Sequence, residues 1–158
     1  MIFDEFEGFA AALRPMRCIL GLDLGEKTIG VAASDGILQG SNAVMTIKRK
    51  KFGLDAAQLL QIADDRDAAG LILGLPRNMD GSEGPRCQST RAFARNLSGL
   101  TDLPIAFWDE RLSTVAAERA LIEADLTRKR RKEIIDSVAA TYILQGALDR
   151  LRHIRQST

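Results

Sequence analysis

Short apolar runs and longer periodic segments alternate along this chain. The first two apolar runs, Cys18–Asp23 and Thr28–Ser34, are separated by a tight Gly25-Glu26-Lys27 turn, and this spacing predicts a β-hairpin. Similar short runs predict strands at 42–47, 71–75 and 105–108. Apolar residues three and four positions apart predict helices at 54–67, 87–97, 113–124 and 134–153.

The order of these elements predicts an α/β fold. Three early strands joined by short connections favour antiparallel pairing, and strands separated by helices favour parallel pairing. We therefore expect a mixed five-stranded sheet flanked by helices, in a single domain over residues 16–154. Residues 1–15 are expected to form an amphipathic N-terminal extension that ends at Arg14-Pro15, with helical spacing of Phe3, Phe6, Phe9 and Leu13.

Composition and charge narrow the class of protein. No apolar run is long enough to cross a bilayer, which predicts no membrane association. The acidic start of the chain, Met1–Glu7, argues against a secretory signal, and two widely spaced cysteines, Cys18 and Cys87, fit a reducing cytoplasm. The net charge of +1 does not favour bulk coating of nucleic acid, whereas one basic run at 128–132 favours local phosphate contacts.

Carboxylates in apolar surroundings are the main candidates for chemistry. Asp23 ends the first strand, Asp109-Glu110 ends the last strand, and Asp136 begins the last helix on the face that carries Ala139, Ala140, Ile143 and Ala147. Each acid alone is more often a turn or cap residue, or a member of a surface ion pair. Together they favour a site, because converging carboxylates repel one another unless a cation lies between them.

Magnesium or manganese is the expected cofactor, because hard divalent ions bind through a few carboxylates and keep several waters. Two ions about 4 Å apart would suit hydrolysis of a phosphodiester bond. Mechanisms based on histidine have little support, because the chain holds one histidine, His153, near its C-terminus.

Two segments could contact substrate. The loop from Gly74 to Pro85 follows a strand and carries Arg77 and Asn78, with Arg86 directly after it. Backbone amides and arginines in such a loop grip phosphate, although a plain connecting loop would also use its glycines. The basic run at 128–132, which includes Arg130 and Arg131, lies close to Asp136 but is by default a solvated segment.

The first hairpin has a second interpretation. Asp23-Leu24-Gly25-Glu26-Lys27-Thr28-Ile29-Gly30 also matches the phosphate-gripping hairpin of sugar kinases, actin and related ATPases. Those proteins hold the nucleotide between two lobes, and 158 residues supply one lobe. Chain length therefore argues against an ATPase.

The sequence resembles the YqgF family of Holliday junction resolvase-like proteins over about residues 17–150. The resemblance implies an RNase H-like fold and a metal-dependent nuclease whose catalytic acids match Asp23, Glu110 and Asp136, with Asp109 as the competing residue for the second. Leu24 and Thr28 depart from the common family residues Tyr and Arg, which puts the contacts near the first hairpin in doubt. The resemblance is carried by four segments, which are Leu20–Asp35, Gly74–Pro85, Asp109–Ala120 and Ile135–Ala140.

The leading hypothesis is an endonuclease that processes the 5′ end of precursor 16S ribosomal RNA, as a monomer or weak dimer that also meets ribosome-assembly components. RNA is the favoured substrate and DNA the alternative. In one alternative hypothesis the protein resolves four-way DNA junctions, and in the other it is a non-catalytic domain that binds nucleic acid. The substrate-binding candidates are Lys27, Arg77, Asn78, Arg86, Arg111, Arg130 and Arg131.

Overall fold

The computed structural model of the chain describes residues 1–112, 117, 120 and 128–157, with the backbone alone for 128–136. The strands are Ile2–Phe3 (β1), Ile19–Leu24 (β2), Thr28–Ser34 (β3), Ser41–Lys48 (β4), Gly70–Leu75 (β5) and Ile105–Asp109 (β6). The helices in this part of the chain are Phe6–Ala12 (α1), Phe52–Asp65 (α2), Pro85–Ser98 (α3) and Arg128–Gln156 (α4), and a 3₁₀ turn covers Glu110–Leu112.

The strands form one mixed sheet in the order β1-β6-β5-β2-β3-β4. Antiparallel pairing joins β2 to β3 and β3 to β4, and parallel pairing joins β2 to β5, β5 to β6 and β6 to β1. The predicted mixture of antiparallel and parallel strands is confirmed. The predicted number of strands was one too low, because β1 has only two residues and gives no alternating pattern in the sequence.

Helices cover both faces of the sheet. Side chains of successive strand residues point to opposite faces, so each strand contributes to two separate cores. One core joins α1 and α4 to Ile19, Ile72 and Trp108. The other joins α2 and α3 to Leu20, Leu22, Leu71 and Leu73. The position of an acid along its strand therefore decides which of the two cores its side chain faces.

Helix α4 lies very close to the sheet where the contacting residues are glycines. A methyl group at Gly21 of β2 would lie 2.6 Å from Leu144 Cβ and 3.2 Å from the carbonyl oxygen of Ala140. A methyl group at Gly146 of α4 would lie 2.6 Å from Trp108 Cζ2. Both distances are shorter than carbon atoms tolerate, so only glycine permits this helix–sheet contact.

The N-terminal segment packs against this same layer. Strand β1 pairs with β6, α1 buries Phe9 completely, and the rings of Phe6 and Trp108 lie edge to face at 5.9 Å. Of the predicted periodic residues, Phe3 belongs to β1 and Leu13 follows the end of α1. The predicted boundary between residues 15 and 16 stays a prediction.

Helix α4 begins earlier than its apolar pattern predicts. Its backbone is helical from Arg128, six positions before Ile134, so the basic run belongs to the helix. Residues of the helix predicted over 113–124 fall outside the described part, apart from Ala117 and Ala120. Among the described residues, no helix combines the length and the apolar content that crossing a membrane needs.

The close contact at Gly21 predicts a specific loss of stability. Gly21→Ala should lower the free energy of unfolding by about 1–3 kcal/mol, because the added methyl overlaps the rigid Cβ of Leu144. Gly53→Ala in α2 is the matched control, since no atom lies within 4 Å of its methyl position. The control should be neutral or stabilising by up to about 1 kcal/mol. Urea unfolding measures both, and equal midpoints for the two variants would contradict the prediction.

Candidate active site

The site lies where the order of strands reverses direction. The chain proceeds outward from β2 to β3 and β4, then returns to add β5 and β6 on the other side of β2. In open α/β sheets the carboxyl ends of the two strands at such a point border a crevice. Here those strands are β2 and β5, which end at Leu24 and Leu75. Asp23 and Gly74 therefore border the crevice.

Asp23 is buried and faces helix α4. Only 3% of the surface of this residue is exposed. Residues two apart in a strand point to the same face, and the methyl position of Gly21 points at Leu144 of α4. Asp23 thus lies on the α4 side of the sheet, at its carboxyl edge.

Glu110 reaches the same place from β6. It is the first residue of the 3₁₀ turn and has 9% exposure. A methyl group at Gly74 would lie 3.0 Å from Glu110 Oε2 and 2.5 Å from Ile143 Cδ1 of α4. The carboxylate therefore extends over β5 into space that any larger residue at position 74 would take.

The strand register places the Glu110 carboxylate close to Asp23. Leu22 of β2 pairs with Leu73 of β5, so Asp23 and Gly74 are the next residues along two neighbouring strands. Neighbouring strands are about 4.8 Å apart. A carboxylate placed over Gly74 is thus about one strand spacing from the backbone of Asp23, which is close enough for both groups to bind one cation or two adjacent cations.

The third predicted acid, Asp136, has a helical backbone, but its side chain lies outside the described residues. It stands one turn before Ala139 and Ala140, which are buried against the sheet together with Ile143 and Ala147. The predicted face of α4 is therefore confirmed for these four residues. Among the described side chains, no three of His, Cys, Asp and Glu are grouped to hold a metal ion.

Asp109, the competing residue for the second position, is engaged by arginines. Arg111 donates from Nε to both Asp109 oxygens at 3.1 Å and from a terminal nitrogen to Oδ2 at 2.7 Å. A terminal nitrogen of Arg77 lies 3.6 Å from the same Oδ2. The hydrogen bond from Arg111 is the main cause that lowers the pKa of Asp109. Geometry therefore assigns Asp109 to an ion-pair network and leaves Glu110 facing the crevice.

Arg77 connects this network to the loop that follows β5. Its other terminal nitrogen lies 3.3 Å from Glu83, whose carboxylate also binds Arg91 at 2.5 Å and 2.7 Å. The hydrogen bond from Arg91 is the main cause that lowers the pKa of Glu83. The predicted substrate contacts Arg77 and Arg111 are thus both paired with carboxylates in this structure.

The tip of the same loop is closed by its own hydrogen bonds. Asn78 donates from its backbone to the Ser82 carbonyl at 2.9 Å and from its side chain to Ser82 Oγ at 3.0 Å. Gly81 has a φ of 89°, a conformation that favours glycine. Arg111 donates to the Met79 carbonyl at 3.4 Å, which joins the tip to the end of β6.

The remaining predicted contacts are spread along the carboxyl edge. Lys27 is exposed in the β2–β3 turn, and Arg86 is exposed in the first turn of α3. The side chains of Arg130 and Arg131 lie outside the described residues. Sequence reasoning missed Gly74, Glu83 and Arg91. A glycine inside an apolar strand signals close approach of another group, and that signal was available for Gly74.

Other chemistries have little support at this edge. Burial is the main cause that raises the pKa of both Cys18 and Cys87, so neither thiol is activated. The single histidine, His153, is exposed in the last turn of α4. Asp55 is another buried acid, and it accepts the Lys50 backbone N–H at 3.0 Å and 3.3 Å, as a helix-start residue does.

Comparison with known proteins identifies the family and agrees with the fold. The family model described as RuvX, Holliday junction resolvase, matches residues 17–150. A Ruegeria sp. (strain TM1040) protein named "Putative pre-16S rRNA nuclease" is 71% identical over 157 residues, which cover 99% of this chain and 100% of that protein. A Ruegeria pomeroyi protein of the same name is 69% identical over 154 residues, with coverage of 98% and 100%.

Solved structures with the same fold are much more distant in sequence. Thermus thermophilus RuvC has a TM-score of 0.54 and 12% identity, and the match covers 89% of this chain and 97% of RuvC. T. thermophilus RuvC in complex with a Holliday junction substrate has a TM-score of 0.52 and 10% identity, with coverage of 84% and 93%. The expected RNase H-like fold is confirmed.

The lowered pKa of Asp109 predicts how its contribution to stability depends on pH. The charged form stabilises the folded protein above the unfolded pKa of about 3.9, and this contribution is lost as pH falls through the lower folded value. Asp109→Asn should cost about 1 kcal/mol at pH 7, and this cost should shrink as pH falls below about 3.9. Urea midpoints of the variant and the wild type, measured from pH 7 downward, should approach each other in the acid range. A difference that stays constant or grows as pH falls would contradict the prediction.

Proposed function

Because this chain belongs to the RuvX (YqgF) family of Holliday junction resolvase-like nucleases, we propose that it cuts precursor 16S ribosomal RNA during maturation of the 5′ end. The cut would be made in the cytoplasm, with Mg²⁺ or Mn²⁺ as cofactor. The observation that carries the proposal is the position of the buried Glu110 carboxylate over Gly74, close to the buried Asp23 at the carboxyl edge. The names of the two Ruegeria relatives support the choice of RNA.

The donor set fits hard divalent ions. Asp23 and Glu110 offer carboxylate oxygens in a largely buried setting, and such oxygens are the ligands that hard divalent ions prefer. Asp136, one turn before the buried part of α4, would supply the third carboxylate. Ions bound there lower the pKa of water and stabilise the oxygens that enter and leave phosphorus. These three acids are therefore the proposed metal ligands and catalytic residues.

The neighbouring arginine network would position these acids. Arg111 and Arg77 hold Asp109 away from the crevice, so the chain turns at Glu110 with its carboxylate over Gly74. The same arginines fix the loop after β5 through Met79 and Glu83. In this proposal Arg77 and Arg111 act mainly as positioning residues. Lys27, Asn78, Arg86, Arg130 and Arg131 remain candidate contacts for the RNA backbone.

Cleavage of four-way DNA junctions is the second candidate, favoured by the description of the matching family. Symmetric cutting of two strands needs two active sites related by a two-fold axis. A resolvase would therefore be a dimer when it acts, whereas cutting of one RNA strand needs a single chain.

Replacing Asp23 should separate catalysis from folding. Asp23→Asn removes one charged ligand and should slow cutting on the order of 10³-fold, while the circular dichroism spectrum stays that of wild type. Exposed Asp102, at the amino end of β6, gives the matched control Asp102→Asn, which should cut at the wild-type rate. The assay uses a precursor 16S leader RNA and a four-way DNA junction, each with Mn²⁺ or EDTA. Equal rates for Asp23→Asn and wild type would reject the assignment.

The space over Gly74 makes a second prediction. Gly74→Ala should displace the Glu110 carboxylate by a few tenths of an ångström and weaken Mn²⁺ binding about 10- to 100-fold. Calorimetric titration with Mn²⁺ measures the change without substrate. Gly53→Ala should bind Mn²⁺ as wild type does. Unchanged affinity in a folded Gly74→Ala protein would show that Glu110 is not a ligand.

A further inference from the structure

A cavity opens immediately beyond Asp23, at the carboxyl edge of the sheet. It has a volume of about 220 Å³ and lies between the β2–β3 turn, the end of β4 and the first turns of α3. Leu24 and Gly25, the two residues after Asp23, form one wall. Its charged lining residues are Arg49, Arg86 and Glu26.

Both arginines are fixed by neutral groups. Arg49 donates to the Gly25 carbonyl at 2.6 Å and lies over the ring of Phe93, 5.6 Å from its centroid. Arg86 lies within 3.5 Å of the Leu24 carbonyl. Within the described part of the chain, neither guanidinium has a carboxylate within ion-pair distance. Their positive charges are therefore held in place without being neutralised.

This arrangement differs from that of the other arginines near the site. Arg77 and Arg111 each pair with Asp109, and Arg91 pairs with Glu83. Asp80 also interacts electrostatically with Arg111, so three carboxylates compensate these three arginines. In the cavity, two arginines outnumber one exposed glutamate, which leaves a net positive charge there.

We propose that this cavity binds a phosphodiester group of the substrate strand, adjacent to the phosphate at the carboxylates. The inference rests on the proposed function and adds a binding subsite to it. Guanidinium groups match phosphate geometry through paired N–H donors, and carbonyl hydrogen bonds leave other donors of the same fork available. A strand that holds one phosphate beside Asp23 on the α4 side and crosses the carboxyl edge toward α3 would pass Leu24 and Gly25 next. Arg49 and Arg86 hold it there on the α3 side.

Measuring RNA binding in the absence of metal tests the subsite, because contacts from arginine do not require a metal ion. Affinity for a single-stranded leader RNA is measured in EDTA over a range of salt concentrations. Arg86→Gln should weaken binding about 3- to 10-fold and lower the salt slope by about 0.7, the value for one lost phosphate contact. Arg86→Lys should restore part of the affinity. Arg95→Gln, with an exposed arginine in the last turn of the same helix, should match wild type.

Substitutions of the other two charged cavity residues should change the affinity for RNA in opposite directions. Glu26→Gln should strengthen binding, because it removes the carboxylate that faces the phosphate. Arg49→Lys keeps the charge and should bind more tightly than Arg49→Gln. Unfolding midpoints of all variants are compared, so that a loss caused by disturbance of the β2–β3 turn is recognised.

Neutralising single phosphates gives the decisive comparison. Once the cut is mapped, a methylphosphonate next to it should weaken binding by wild type but not further weaken binding by Arg86→Gln. Equal affinities for Arg86→Gln and Arg95→Gln, with RNA cutting intact, overturn the subsite and leave the nuclease proposal standing. Failure of wild type to bind or cut the leader RNA overturns both.

Discussion

Contact between α4 and the sheet at van der Waals distance is the constraint on which the site depends. Glycines at positions 21, 74 and 146 allow it, since a methyl group at any of them would come within 2.6 Å of a neighbouring heavy atom. Close packing of this kind leaves no room for water beneath the helix. It buries Asp23 and Glu110 and brings the helix backbone at Asp136 toward the same edge. The chemistry and the packing therefore share the same residues.

Burial has an electrostatic consequence that divides the acids into two groups. Arg111 and Arg77 form ion pairs with Asp109, which keep its carboxyl group ionised and occupy its oxygen atoms. The carboxylate of Glu110, the next residue, lies over Gly74, beside the strand that carries Asp23. Two carboxylates brought together in a low-dielectric setting repel each other strongly. Carboxylate oxygens in such a setting are ligands that a hard divalent cation accepts, which supports the metal site proposed at this edge.

The sequence predicted most of the fold because its strands are short apolar runs and its helices carry periodic faces. It missed β1, since two residues show no period, and it began α4 late. Arg and Lys are good helix formers. The segment from Arg128 to Glu133 contains no apolar residue, so a search for apolar periodicity cannot detect its helical turns. The carboxylates at the strand ends were predicted by position. Their separation into ligand and ion-pair roles was not, because it depends on side-chain direction.

Arginines at the carboxyl edge illustrate why residue type alone does not predict a contact. A sequence interpretation treats Arg77, Arg86 and Arg111 alike, and it does not single out Arg49. Asp109 and Glu83 beside Arg77, and Asp109 and Asp80 beside Arg111, offset those positive charges, whereas contacts with backbone carbonyls leave the charges of Arg49 and Arg86 unchanged. An anionic strand responds to net charge over several ångströms. Among the described arginines, the charges without a carboxylate partner therefore lie toward α3, which supports the proposed subsite there.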